Sequence, residues 1–193
     1  MQTIRAFTAI PLPKSVLDHL GRIQRKLQSR IPHRGVRWVP PAAIHVTLKF
    51  LGDISVSKVP EIEQALQAVA RHAPECTFSV AGLSCFPSLQ RPRVIWVGIA
   101  ETSGRITALH GAIEEAVAPF GFEREGRGFK PHLTLGRVSR RANQTDAARI
   151  GSLIAQTEAL TVGEVTADHF CLIQSTLKPS GAEYTIIRRF DLR

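Results

Sequence analysis

Three features of the sequence predict an α+β fold made of two similar lobes. Stretches with strand periodicity alternate with stretches of helix periodicity, and the series recurs in the two halves of the chain. The tetrad His-Val-Thr-Leu at residues 45–48 returns as His-Leu-Thr-Leu at 132–135, 87 residues later and close to half of the 193-residue length. Two β-rich runs, CTFSVAGLSCF and PRVIWVGIA, flank the turn-forming segment PSLQR, the pattern of an antiparallel pair. Together these describe a pseudo-symmetric duplication, with residues 1–193 read as one two-lobed domain. Outside the tetrads, identity between the halves is faint.

The elements follow in order. TIRAFTAI alternates as a strand does, and PLPKS supplies the proline break and serine that often precede a helix. That helix is expected from about Ser15 to Gln28, with Val16, Leu20, Ile23 and Leu27 at three- and four-residue spacing and a basic opposite face. A proline-rich loop with a short extended piece at Val36–Val39 delivers the chain to the first tetrad strand. VSKVPEIEQALQAVARH is a second helix with Ile62, Leu66 and Val69 inward. After the antiparallel pair, ETSGRITALHGAIEEAVAPFG is helical through Ile106, Leu109, Ile113 and Val117. FKPHLTLGRVS is the second tetrad strand, QTDAARIGSLIAQT a fourth helix, and VTADHFCLIQSTL and AEYTIIRRFDL two closing strands.

A hydrophobic content of 44% is enough for a real core in a chain of this length. The 25 Lys and Arg against 16 Asp and Glu give a net charge of +9, concentrated in short clusters at 22–30, 124–130, 137–141 and 188–193. Such a surface suits an anionic partner such as nucleic acid. Cys76, Cys85 and Cys171 form no CxxC pair, which favours a reducing compartment. Arg5 interrupts the apolar start before any long hydrophobic region develops. No signal peptide or membrane span is expected, and the cytoplasm is the expected location.

Alternation along a strand puts His45 and Thr47 on one face and Val46, Leu48 and Phe50 on the other. By the same count His132 and Thr134 oppose Leu133 and Leu135. A histidine beside a threonine on one strand is usually a surface accident. Random placement would give two such tetrads in roughly one chain per thousand of this composition, so the pair points to a shared site. Two threonine hydroxyls and two imidazoles converging between lobes suit a phosphate: hydroxyls donate to its non-bridging oxygens, and a protonated imidazole adds a charge-assisted bond. Imidazoles titrate near neutrality, so one can accept a proton while the other donates one.

Other chemistries fit less well. Neither tetrad has a Cys, Asp or Glu at metal-ligand spacing except Asp53 beyond the first strand, and no P-loop, GxGxxG or GxSxG is present. His19, His33, His72, His110 and His169 lack a repeated context and are read as structural or solvated. Lys49 and Lys130 share the faces of His45 and His132 and are candidate substrate-binding residues. Arg137 is a further candidate, reaching the His132 face only if the strand ends or bulges near Gly136. Trp38 and Tyr184 are candidates for stacking on a base. Trp96 reads as core, and Phe50, on the core face, is not expected to stack.

At this point the chain resembles the two-histidine phosphoesterase superfamily and, within it, the bacterial RNA 2′,3′-cyclic phosphodiesterases, also called 2′-5′ RNA ligases. Besides the tetrads, the resemblance rests on RAFTAIPLP, RWVPPAAIHVTLKFLGD, FPSLQRPRVIWVG, FKPHLTLGRV and STLKPSGAEYTIIRRFDL, in that order. It implies two α+β lobes, each an antiparallel sheet with helices outside, around a central cleft that holds the histidines. It also implies activity with no metal and no cofactor, on an RNA with a 2′,3′-cyclic phosphate end, leaving a 2′-phosphate. The reverse type of transfer would join such an end to a 5′-hydroxyl RNA. Carried over by residue, His45 is the general acid on the leaving 3′-oxygen, His132 the base on water, and Thr47 and Thr134 hold the non-bridging oxygens. A monomer without membrane attachment is expected. The competing readings are an enzyme for small 2′-5′ oligonucleotides or nucleoside cyclic phosphates, and a noncatalytic module that binds RNA ends.

Overall fold

The computed structural model describes residues 2–31, 35–126, 128–139, 141–157, 160–178 and 181–193. His33 lies outside them. The elements run β1 (Thr3–Ile10), α1 (Lys14–Gln28), β2 (Val36–Trp38), β3 (Val46–Ser55), α2 (Val59–Ala70), β4 (Cys76–Phe86), β5 (Val94–Ala100), α3 (Arg105–Val117), β6 (His132–Val138), α4 (Gln144–Ala155), β7 (Thr161–Ala167), β8 (His169–Lys178) and β9 (Gly181–Asp191). All strand pairings are antiparallel, in the order β7-β4-β5-β6-β3-β1-β8-β9, with β2 beside β6.

The two tetrad strands stand at the middle of this order, so the sheet divides there into two lobes. β3, β1, β8 and β9 form one, backed by α2 and α3; β6, β5, β4 and β7 form the other, backed by α1 and α4. The α+β duplication expected from the sequence is therefore present, but the lobes are not the sequential halves. α1 leaves β1 and packs behind the other lobe, and α3 leaves β5 and does the same in return. The helices bury the stripes that their spacing predicts: Leu20, Ile62, Leu66, Ile106 and Ile113 are fully buried in one core with Val46, Leu133, Ile95 and Phe78. Among the described residues no helix is long and apolar enough to cross a membrane.

The closing region corrects the sequence reading. Three strands are present rather than two, because the run around VTADHFCLIQSTL breaks at Asp168. β7 pairs with β4 at the outer edge of one lobe, while β8 pairs with β1 in the other. A continuous β-favouring composition does not reveal that the chain changes lobes within it.

Both tetrad strands carry an extra residue just after the tetrad's threonine, and β3 has a second at Leu51, between the Ala6–Gly52 and Phe7–Phe50 pairs. In the β1–β3 ladder Thr8 pairs with Lys49 and Ala9 with Thr47, which leaves Leu48 without a partner. In the β5–β6 ladder Ile95 pairs with Gly136 and Trp96 with Thr134, which leaves Leu135 without one. Each bulge reverses the in-out alternation for the residues that follow it.

Candidate functional site

The floor of the cleft is a single cross-strand pair, Val46 with Leu133, both fully buried on the helix side. In an antiparallel ladder this register sets His45 across from Thr134 and Thr47 across from His132, all four on the opposite face. Residues directly across are about 5 Å apart at Cβ and diagonal ones about 7–8 Å. A square of that size accommodates one tetrahedral phosphate between two imidazoles and two hydroxyls.

The two rings are held alike. His45 sits just before β3 and its Nδ1 donates to the Ala43 carbonyl at 2.8 Å; His132 Nδ1 donates to the Lys130 carbonyl at 2.8 Å. A carbonyl accepts only, so each neutral ring carries its proton on Nδ1 and leaves Nε2 as the working nitrogen. The chain leading to each histidine contains proline, PPAAIH in one half and FKPH in the other, and it brings that carbonyl back beneath the ring. Phe7 stacks on His45 at 4.8 Å between centroids, and Tyr184 meets it edge-on at 5.3 Å. Phe86 meets His132 edge-on at 4.9 Å, with Trp96 beyond at 6.3 Å. Burial among these rings lowers the pKa of His45 to about 4, with the Ala43 bond acting in the opposite sense.

A cavity of about 170 Å³ opens over the square, lined by His45, Thr47, Thr134, Arg37, Trp38, Arg137, Phe50 and Tyr184, together with residues 39–40, 43–44 and 181–182. Trp38, Arg137 and Tyr184 thus reach it beside His45 and the two threonines. His132 stands across the floor pair against Phe86 and Trp96 and is not among the lining residues. The exposed Lys130 lines no part of the cavity; its main chain, through the carbonyl that holds His132, is what serves the site.

The bulges decide the remaining positions. After Leu48, Phe50 turns to the cleft, is 54% exposed, and joins Phe7 and Tyr184; the expectation that it faces the core is corrected. Lys49 turns the other way. It is 3% exposed behind the sheet, with Nζ 2.7 Å from Glu114 Oε1 of α3 and 2.6 Å from the Glu123 carbonyl, so it is not a cleft residue as strict alternation predicted. After Leu135, Arg137 turns into the cleft, the conditional case anticipated at Gly136. Phe50 and Arg137 are each the fifth residue after their histidine, so one bulge delivers an aromatic ring and its counterpart a guanidinium.

Three contributors escape the sequence reading. Gln24 lies within the apolar stripe of α1, is 2% exposed, and donates to the Val39 carbonyl at 2.7 Å and to the Leu135 carbonyl at 2.9 Å, fastening β2 to the bulge that orients Arg137. The signal was an amide among Leu20, Ile23 and Leu27. Arg37 lies directly across from Arg137. Trp96 is half-buried on the cleft side rather than in the core, which follows from its pairing with Thr134. Among the described residues no three His, Cys, Asp or Glu side chains gather as a metal-ligand set.

Known proteins share this architecture. The family described as "LigT like Phosphoesterase" matches the chain twice, at residues 10–96 and 97–184. The RNA 2′,3′-cyclic phosphodiesterase of Aquifex aeolicus is 30% identical over 193 residues, covering 100% of this chain and 99% of that protein. The protein of the same name from Methanothermobacter thermautotrophicus is 32% identical over 189 residues, covering 98% and 99%. The crystal structure of TT0787 from Thermus thermophilus matches with a TM-score of 0.80 at 30% identity, covering 98% of each chain. Escherichia coli LigT complexed with 3′-AMP shares the fold, with a TM-score of 0.79 at 22% identity and 99% of each chain covered. The twofold match, falling on two halves that each supply one tetrad strand, means that the chain belongs to the LigT-like phosphoesterase family.

Proposed function

We propose that this protein is a hydrolase that opens 2′,3′-cyclic phosphates at RNA ends to 2′-phosphates, using His45 and His132 as an acid–base pair and no metal. The observation that carries the reading is the Val46–Leu133 pairing, which by strand alternation is consistent with both tetrads facing the same side of the sheet. The full-length relatives named for this activity support it.

The reaction divides among the residues by position. Thr47 and Thr134 donate hydrogen bonds to the non-bridging oxygens, and Arg137 adds positive charge as the pentacoordinate phosphorus gathers negative charge. His132 Nε2 takes a proton from water, the water oxygen bonds to phosphorus, and the bond to the 3′-oxygen breaks as His45 Nε2 delivers its proton there. With a 5′-hydroxyl RNA end in place of water, the same two transfers form a 2′-5′ bond. His45 is neutral in the empty pocket at pH 7 because of its burial. The anionic substrate offsets that cost, so the acid is loaded by proton uptake on binding. Phe50 and Tyr184 offer the terminal base a stacking surface.

The test is cleavage of a short RNA ending in a 2′,3′-cyclic phosphate with excess chelator, the product read by phosphorus NMR. A 2′-phosphate is expected; a 3′-phosphate, or turnover that the chelator abolishes, rejects the mechanism. Calorimetry of a 2′-phosphorylated product in buffers of different ionisation enthalpy is expected to show proton uptake near pH 7. Zero uptake would reject the loading of His45 on binding.

A further inference from the structure

Arg37, Arg93 and Arg137 line one groove on the lobe opposite Phe50 and Tyr184, with Val36, Val94 and Ser139 between them. Arg37 and Arg137 also line the cavity above His45, so groove and cavity share a wall. Arg37 faces Arg137 directly across the β2–β6 pair, and Val94, next to Arg93, faces Arg137 from β5. Among the described residues, the ion pairs include none of these three guanidinium groups. Like charges directly opposite one another weaken a sheet. Concentrating them beside a phosphate site, with no carboxylate to neutralise them, makes sense when an anion bridges them. The fork of a guanidinium matches phosphate oxygens in particular.

An RNA whose 3′ end is a cyclic phosphate continues in the 5′ direction alone. With the terminal base on the aromatic side of the cavity, its next phosphates leave across the cationic side. We propose that the groove leading from Arg137 at the reacting phosphate, through Arg37 and Arg93, holds the backbone phosphates on the 5′ side of the reacting nucleotide, so that the preferred substrate is an oligonucleotide end rather than a free nucleoside cyclic phosphate. This rests on the activity proposed above and specifies its substrate.

The experiment compares kcat/KM for a 2′,3′-cyclic mononucleotide and for a tetranucleotide with the same cyclic end, across a salt series, in the wild type and in Arg93→Gln. Arg93 lies outside the cavity around His45. The tetranucleotide should be preferred at low salt, and the preference should shrink as salt rises. R93Q should lower kcat/KM for the tetranucleotide by roughly 3- to 10-fold, mainly through KM, reduce the logarithmic salt slope by about 0.7, and leave the mononucleotide unchanged. Equal losses on both substrates, or no preference for the tetranucleotide at low salt, would overturn the proposal. If the wild type cleaves neither substrate, the activity reading fails separately. The groove is then judged by fluorescence anisotropy with a 2′-phosphorylated tetranucleotide: R93Q must weaken binding by the same factor, and equal affinity rejects it.

Discussion

His45 shows how a single residue links site chemistry to stability. Its pKa is 6.5 as an ordinary histidine and about 4 in the folded cleft, lowered by burial. Between these values the unfolded chain binds the proton that the folded one refuses, so stability falls as pH drops from about 6.5 to 4 and is insensitive to this group above that window. The loss amounts to about 3 kcal/mol in total. Chemical denaturation at pH 7 and about pH 4.5, inside that window, should show a smaller difference in His45→Gln than in the wild type; an unchanged difference would mean that His45 is not desolvated. Gln24 makes the second prediction at this scale. Gln24→Leu removes the side-chain donor of the Val39 carbonyl, while the Leu135 carbonyl keeps the Val39 N–H, and urea unfolding should register a cost of about 1–3 kcal/mol. That the strands carrying His45, Thr47, His132 and Thr134 meet was legible in the sequence because the tetrad repeats. Gln24 was not, because its partners are main-chain carbonyls distant in sequence.

Extra residues in the strands explain where element-level reading succeeds and stops. Hydrophobic spacing locates all four helices and the tetrad strands, but a period of two carries no mark of an inserted residue. The faces of Lys49 and Phe50 after Leu48, and of Arg137 after Leu135, therefore invert, and the second extra residue of β3 at Leu51 restores the alternation beyond it. That single cause moves Lys49 behind the sheet and brings Phe50 and Arg137 to the cleft. Gly136 accommodates the close approach of β2, since a Cβ there would lie 2.6 Å from Val36 Cγ1. The buried Lys49–Glu114 pair ties β3 to α3 and, through the Glu123 carbonyl, to the segment leading toward His132. Removing one partner leaves the other charge buried, so Lys49→Met should destabilise the fold by about 3–5 kcal/mol, and the double change Lys49→Met with Glu114→Leu should recover much of it. Thermal unfolding of the two variants checks both halves of that statement; equal stability of wild type and K49M would refute it.

Across the whole molecule, the duplication creates a candidate site that neither repeat contains. Each tetrad strand belongs to one lobe, and α1 and α3 pack behind the lobe opposite to that of the strand they follow. The sequence displays the repeat through its two tetrads, whereas this exchange depends on long-range packing that no local pattern encodes. The proposed mechanism makes His45 and His132 act on one phosphate in one transition state. Single-turnover cleavage of a cyclic-phosphate RNA by His45→Ala, His132→Ala and the double variant tests this most directly. Each single change should slow the chemical step about a hundred- to ten-thousandfold, with RNA binding largely retained. Because the two imidazoles serve the same step, the double variant should be little slower than the slower single one. Losses that multiply, or a single variant that keeps full activity, would contradict a shared two-histidine centre.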